Sequence, residues 1–278
     1  MEALDLHVGR PLHRGALTVF PVWNGRAVTR RGYDVTSAHL EVTERAGQPL
    51  VDQLIVTNTG LRPALVLEGE LLEGGQQHRV AARSTMVAPR RTEVLQVRCV
   101  EEGRWSGERT HRRSGSRAPL SIRSRPEQHR TWERVRALED LHDTAGDTHA
   151  LGDALSDVSD AARQLVAGLA PLSYQAGVLI GIAGQPVQLE VFDHPRTLAS
   201  AWTSLLQAAA LDSLAARDDR TPGWAARDFV DQIRRVTQLP GDEEGRRHSP
   251  YADLTVLSWR DRVVHAVATN PRHELVSA

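Results

Sequence analysis

The hydrophobic pattern changes period near residue 127, and that change constrains the fold more than any other feature. Before it, short apolar runs alternate with polar residues, as half-buried strands do. Residues 17–23 read as a strand, with Pro21 marking an edge because proline donates no hydrogen bond. Residues 52–57, 64–67, 86–87 and 93–100 continue the strand pattern, with turns at 58–60 and 73–75. Residues 35–44 fit a short helix feeding a strand, and 102–126 break into Arg, Ser and Gly as a loop would.

After residue 127 the apolar spacing is helical. Trp132, Val135, Leu138 and Leu141 fall on one face of a helix over 128–142. Leu155, Val158, Ala162, Leu165, Val166 and Leu169 do the same over 153–169, with Asp153 near the capping position. Residues 177–183 and 187–192 read as a hairpin, 197–216 and 224–238 as helices, and 242–248 as a solvated linker. Residues 253–259 and 263–267 form a final hairpin around Arg260 and Asp261. The expected class is α+β: a mostly antiparallel N-terminal sheet packed with a helical C-terminal half that adds further strands. The expected organisation is one domain over 1–278, β-rich at 15–105, with a basic loop at 106–126. A helix-rich part follows at 127–240, and the C-terminal hairpin lies within 250–268.

Composition narrows the chemistry. All 34 basic residues among the 278 are arginine. Without lysine there is no Schiff-base catalysis, no P-loop phosphate lysine and no lysyl-nucleotide intermediate. That removes P-loop nucleotidases, protein kinases, pyridoxal-phosphate enzymes and nucleotidyl-transfer ligases. Cys99, the single cysteine, permits no intramolecular disulfide; its apolar strand context favours a structural role over a reactive thiol activated by Arg98, Arg104 or His78. No run is long and apolar enough for a membrane span, and residues 1–7 do not resemble a signal peptide, so the expected compartment is the cytoplasm. The histidines show no zinc-ligand spacing, so no metal or cofactor is expected.

Charge is unevenly placed. Residues 79–136 hold 15 arginines against 6 acids, net +9, and 137–245 hold 7 against 17, net −10. Such segments pair with each other or with a second copy; the sharper reading is an anion site. Aromatic residues for base stacking are only 4% of the chain, which argues against nucleic acid as the partner.

The densest polar constellation lies at 68–79 and 99–105. On a strand, Glu68 and Glu70 would share a face and could bind a metal, work as an acid–base pair or contact ribose hydroxyls. Gly74 and Gly75 would let the backbone approach a phosphate. Gln77 and Arg79 alternate onto one face, a carboxamide beside a guanidinium. Glu101, Arg104 and Trp105 follow a strand end, with Trp105 as a stacking platform or a core plug. Glu70 and Glu101 are the candidate general bases if the chain is an enzyme.

These residues also carry a resemblance. Residues 42–44, 54–58 and 65–70, then Gly74-Gly-Gln-Gln77 with Arg79, 99–101 and 103–105, are similar to one prokaryotic family. It is the ADP-ribosylglycohydrolase- and rhodanese-phosphatase-superfamily-associated protein domain. Gln128, Trp132, 154–157, Gly177 and 191–192 add to the match, which spans about residues 15–215. Gln76 and His78 stand where the family pattern has lysine and asparagine. The resemblance implies a setting in ADP-ribose or nucleotide metabolism, and no reaction. Three readings stand together: an accessory protein binding an anionic nucleotide or ADP-ribose-derived ligand, a hydrolase using a carboxylate base, and a protein-binding or self-associating module.

Overall fold

The computed structural model describes residues 4–35, 38–124, 127–142 and 149–277; parts of the expected short helix and basic loop, and the side chains of Leu141 and Val158, lie outside what is described. The chain forms two compact units. Met1–Arg31 and Leu165–Ala278 build the first, and Gly32–Gln164, inserted between them, build the second.

The first unit opens with β1 (Leu6–Val8), β2 (Leu12–Arg14) and β3 (Leu17–Asn24). The inserted unit follows with β4 (Leu40–Thr43), β5 (Gln53–Asn58), β6 (Ala64–Val66) and β7 (Glu70–Gly74). It continues through β8 (Arg79–Ala81), β9 (Thr85–Val87), β10 (Thr92–Cys99) and β11 (Thr110–Arg117), and ends on α1 (Leu120–Arg123), α2 (Gln128–His142) and α3 (Leu151–Leu165). The first unit resumes with β12 (Gly177–Ile182), β13 (Gln185–Phe192), α4 (Pro195–Ser213) and α5 (Gly223–Val236). It finishes with β14 (Arg246–His248), β15 (Asp253–Trp259), β16 (Arg262–Thr269) and α6 (Glu274–Ser277).

The sheet of the first unit runs β1-β3-β12-β13-β16-β15-β14, with β2 also on β3. The strands expected as one N-terminal sheet are therefore divided: β1 to β3 join the C-terminal strands, and the rest belong to the inserted unit. Pro21 does not mark an edge. β3 pairs with β12 on one side and with β1 and then β2 on the other. The Pro21 carbonyl accepts from the Gly9 N–H at 2.8 Å, so the missing donor points at the changeover between β1 and β2.

Ala226, Phe229, Val230, Ile233 and Val236 of α5 recur at helical spacing and join Leu189, Val191, Leu254 and Ala266 in a core cluster on one face. α4 packs on β3, β12 and β13 with side chains outside that cluster. It starts at His194, whose ring accepts from the Arg196 N–H, with Pro195 pre-set for the first turn.

The second unit is a closed barrel in the order β10-β5-β4-β11-β7-β8. Val42, Leu54, Val56, Leu72, Leu95 and Val97 fill its interior, so it is a packed core and not a channel. β6 and β9 pair beside it, and their Val66 and Val87 belong to the same core cluster.

The expected loop over 106–126 is instead largely ordered. β11 lies between β4 and β7, and α1 follows it. β11 (Thr-His-Arg-Arg-Ser-Gly-Ser-Arg) contains no apolar residue and shifts register between Arg113 and Arg117, so pairing holds it and no apolar period announces it. Glu73 and Gly74 end β7, and the expected turn comes at Gly75 with φ +57. A Cβ at Gly75 would lie 2.0 Å from His111 Nε2, so the ring of His111 occupies the space of the missing side chain.

Candidate functional site

The polar residues collect where β8, the end of β10 and the loop after it meet. The barrel pairing Cys99↔Arg79 brings 77–79 beside 99–101, and Val100 N–H donates to the His78 carbonyl at 3.1 Å. Gln128 on α2 clasps Cys99 from the helix side. It accepts from the Cys99 N–H at 2.9 Å and donates to the Cys99 carbonyl at 2.7 Å. Trp132, one helical turn on, turns its buried indole N–H toward the thiol and favours the thiolate.

Glu101 is the centre of one half. Arg104 Nε donates to Oε1 and Nη2 to Oε2, each at 2.7 Å, a bidentate pair, and the His78 N–H donates to Oε2 at 2.8 Å. The other N–H groups of Arg104 reach the carbonyls of Gly75 at 2.7 Å, Ser106 at 2.6 Å and Gly74 at 3.4 Å. All the donors of this guanidinium are thus engaged. Burial pushes the Glu101 carboxyl up, but Arg104, the His78 N–H and the His78 ring outweigh it and hold the group below the ordinary carboxylate range.

Arg79 is the centre of the other half, and it differs. Its side chain is fully buried in the barrel wall, at 0% exposure. Nη1 donates to Gln77 Oε1 at 3.2 Å and, weakly, to the His78 carbonyl at 3.4 Å. Nε and Nη2 are buried with no hydrogen-bond partner among the described residues. Burial lowers the pKa of this guanidinium, opposed by the fields of Cys99, Glu44 and Glu101. Gln77 in turn donates to the Glu101 carbonyl at 2.7 Å. The Trp105 ring, 52% exposed, lies over the guanidinium with its centroid 5.7 Å from Cζ. Cys99 is buried; burial pushes its thiol up despite Arg79, and it donates to the Glu101 carbonyl at 3.0 Å. Such a thiol is a poor nucleophile.

Of the residues expected from sequence, Gly74, Gly75, Gln77, Arg79, Glu101, Arg104 and Trp105 come together. Glu68 and Glu70 do not. Gly69, at φ +79, turns the chain between them, so they share no strand face. Glu68 pairs with Arg123 at 2.6 Å, and Glu70 takes Arg113 bidentately. Arg112 pairs with Glu73 and Arg136 with Glu102, so much of the basic stretch is neutralised inside its own unit.

Two members of the cluster escape sequence reading. Glu44 and His111 form a pair at 3.1 Å, both side chains at 0% exposure, and Glu44 Oε1 also accepts from the Gln76 N–H at 3.1 Å. The pairing of β4 with β11 alone brings them together, so no local spacing could reveal them. An open depression of about 410 Å³ nearby is lined by Glu73, Gly74, Glu108, Thr110, His111 and Arg112, without Arg79.

A family model described as ARPP-1, the ARG and Rhodanese-Phosphatase-superfamily-associated Protein domain, matches residues 5–269. The chain belongs to this family. The ARPP-1 match covers both units, the barrel with its polar cluster and the sheet of the first unit. No curated protein and no solved structure matches the chain. Among the described residues of this ARPP-1 protein, no group of three or more His, Cys, Asp or Glu could hold a metal ion. No described helix is long and apolar enough to cross a membrane.

Proposed function

We propose that this chain is an accessory protein that binds an anionic, nucleotide-derived ligand on the barrel of its second unit, in an ADP-ribose or nucleic-acid-processing setting. The observation that carries the reading is Arg79, a buried cation with two donor nitrogens unmatched among the described residues. A buried charge without hydrogen-bond partners is costly, and an anion supplies what is lacking. Trp105 beside it offers an aromatic face for a base, and Gln77 a carboxamide. The setting follows from the family's association with ADP-ribosylglycohydrolase-type and rhodanese-phosphatase proteins.

A hydrolase with Glu101 as general base is less well supported. A base working near neutral pH needs a raised carboxyl pKa, and Glu101 is held the other way by Arg104.

The test is a thermal-shift panel of ADP-ribose, NAD, mononucleotides and cyclic phosphates on the full chain. A ligand raises the melting temperature with dose, by the equivalent of about 2.7 kcal/mol at a hundredfold excess over Kd. Arg79→Met abolishes that rise. A blank across the panel sinks the reading in favour of a partner-protein module.

A further inference from the structure

We infer that the group held at Arg79 is a two-oxygen oxyanion, a carboxylate or a phosphoryl group, taken edge-on by Nε and Nη2 beneath Trp105. This rests on the ligand-binding reading above and commits it to one chemistry. A guanidinium presents its donors as a rigid fork, and the Nε–H and one Nη2–H lie parallel along one edge. In Arg79 the opposite side is used, by Gln77 Oε1 and the His78 carbonyl. The edge left over is the one that matches two oxygens of a single group.

The nearby acids are already committed elsewhere. Both oxygens of Glu101 take Arg104, and Glu44 Oε1 takes His111 and the Gln76 N–H. Glu44 Oε2 is unmatched, but among the described residues no carboxylate forms an ion pair with Arg79. Glu44 and Glu101 oppose the Arg79 cation through their fields without bonding to Nε or Nη2, so what this edge lacks among the described residues is acceptors and not charge.

Trp105 is the cover. Its loop is tied to 74–76 by the Arg104 bonds to Gly74, Gly75 and Ser106 and by the Ser106 N–H to the Gln76 carbonyl at 3.2 Å. An oxyanion reaches Arg79 when the ring swings aside, while Arg104 holds the base of the loop.

The experiment titrates the full chain with inorganic phosphate, acetate and chloride at matched ionic strength. It reads the melting temperature and the protection of Arg79 from phenylglyoxal, followed by peptide mass mapping. Phosphate or acetate should raise the melting temperature and protect Arg79 while chloride does neither, and the stronger of the two identifies the group. Arg79→Lys, which keeps the charge and loses the fork, should weaken binding at least tenfold, and Arg79→Met should abolish it. Trp105→Ala should speed phosphate association severalfold. Chloride acting as well as phosphate, equal binding by Arg79→Lys, or no effect of either oxyanion overturns the inference. A blank nucleotide panel with phosphate still protecting Arg79 removes the nucleotide reading and keeps the oxyanion edge. A nucleotide hit that survives Arg79→Met keeps ligand binding and removes the edge.

Discussion

Each unit buries an ionisable cluster in its sheet, and the two are satisfied to different degrees. In the first unit, alternation along β13 puts Gln188, Glu190 and Phe192 on the face opposite Leu189 and Val191. Glu190, at 0% exposure, accepts from Gln188 at 2.7 Å through Oε2 and pairs with His265 at 3.0 Å through Oε1. The His265 ring stacks on Phe192 with centroids 4.6 Å apart. Both carboxylate oxygens have partners on the same sheet. In the second unit, Arg104 and Glu101 close on each other just as fully, but one edge of Arg79 has no partner among the described residues. A buried charge whose partners lie inside the fold specifies structure, and one whose partners are missing is poised for something else.

The largest effect should come from breaking the closed cluster. Glu190→Leu leaves the His265 and Gln188 donors facing an apolar side chain, and should destabilise the protein by about 3–5 kcal/mol. Arg104→Met strands the buried Glu101 carboxylate, and water reaching the half-buried arginine position puts the loss at the lower end, about 3 kcal/mol. Urea melts measure both. A loss under about 0.5 kcal/mol for Glu190→Leu, the range of ordinary surface changes, would remove the distinction between the clusters.

Arg79→Met is the sharper case, because its sign reverses. Removing a buried guanidinium whose Nε and Nη2 bond to nothing among the described residues should be neutral or stabilise by about 1–3 kcal/mol in the absence of ligand, although Gln77 Oε1 loses a donor. The same melts decide it. A loss as large as that of Arg104→Met would make Arg79 another internal clasp.

How much of this was legible follows from where the partners lie along the chain. Gln77 and Arg79 stand two residues apart, so their contact is local in the chain even though Gln77 lies before β8 and not on it. The β12–β13 hairpin and the apolar stripe of α5 carry strong periods and were readable for that reason. Glu44 and His111 are 67 residues apart, joined through a strand with no apolar residue. Glu68 and Glu70 misled because Gly69 turns the chain where an extended strand was expected. Pro21 misled because a central strand can change neighbours and leave a gap of one donor. Periodicity reports burial against a core; it is silent on which distant polar groups the topology joins.

Both units also hold a histidine neutral, which makes pH a weaker probe of the comparison. Burial lowers the pKa of His111 in the barrel, against the pull of Glu44 and with the help of Arg79; burial lowers His273 in the first unit, against its bond to the Ile182 carbonyl. An unfolded histidine titrates near 6.5, so above that pH both states are neutral and the stability is fully present. As pH falls through about 6.5 the unfolded chain takes up the proton first, and stability is lost. From pH 7.5 to 5.5 each histidine should contribute a loss of at most about 1.4 kcal/mol, larger the lower its folded pKa. His111→Gln should flatten the barrel's share of that slope and His273→Gln the remainder. An unchanged slope in both variants would mean that neither ring is held neutral by the fold.

The smallest effect on stability is expected at the residue with the most exposed apolar surface in the cluster. Trp105 is 52% exposed, and its contact with Arg79 is a cation–π approach at 5.7 Å, near the outer limit of such interactions. Its loop is held by Arg104 and Ser106, which do not use the ring. Trp105→Ala should therefore change stability by no more than about 0.5–1 kcal/mol. The same substitution should raise the rate at which phenylglyoxal modifies Arg79, because the ring lies over that guanidinium. A large stability loss would make Trp105 a core plug that closes the barrel end. A small loss with unchanged Arg79 reactivity would show that the screen lies elsewhere, in the packing around Cys99 and Trp132. Only a small loss with faster modification separates, within one unit, the arginine that builds the fold from the one the fold leaves available.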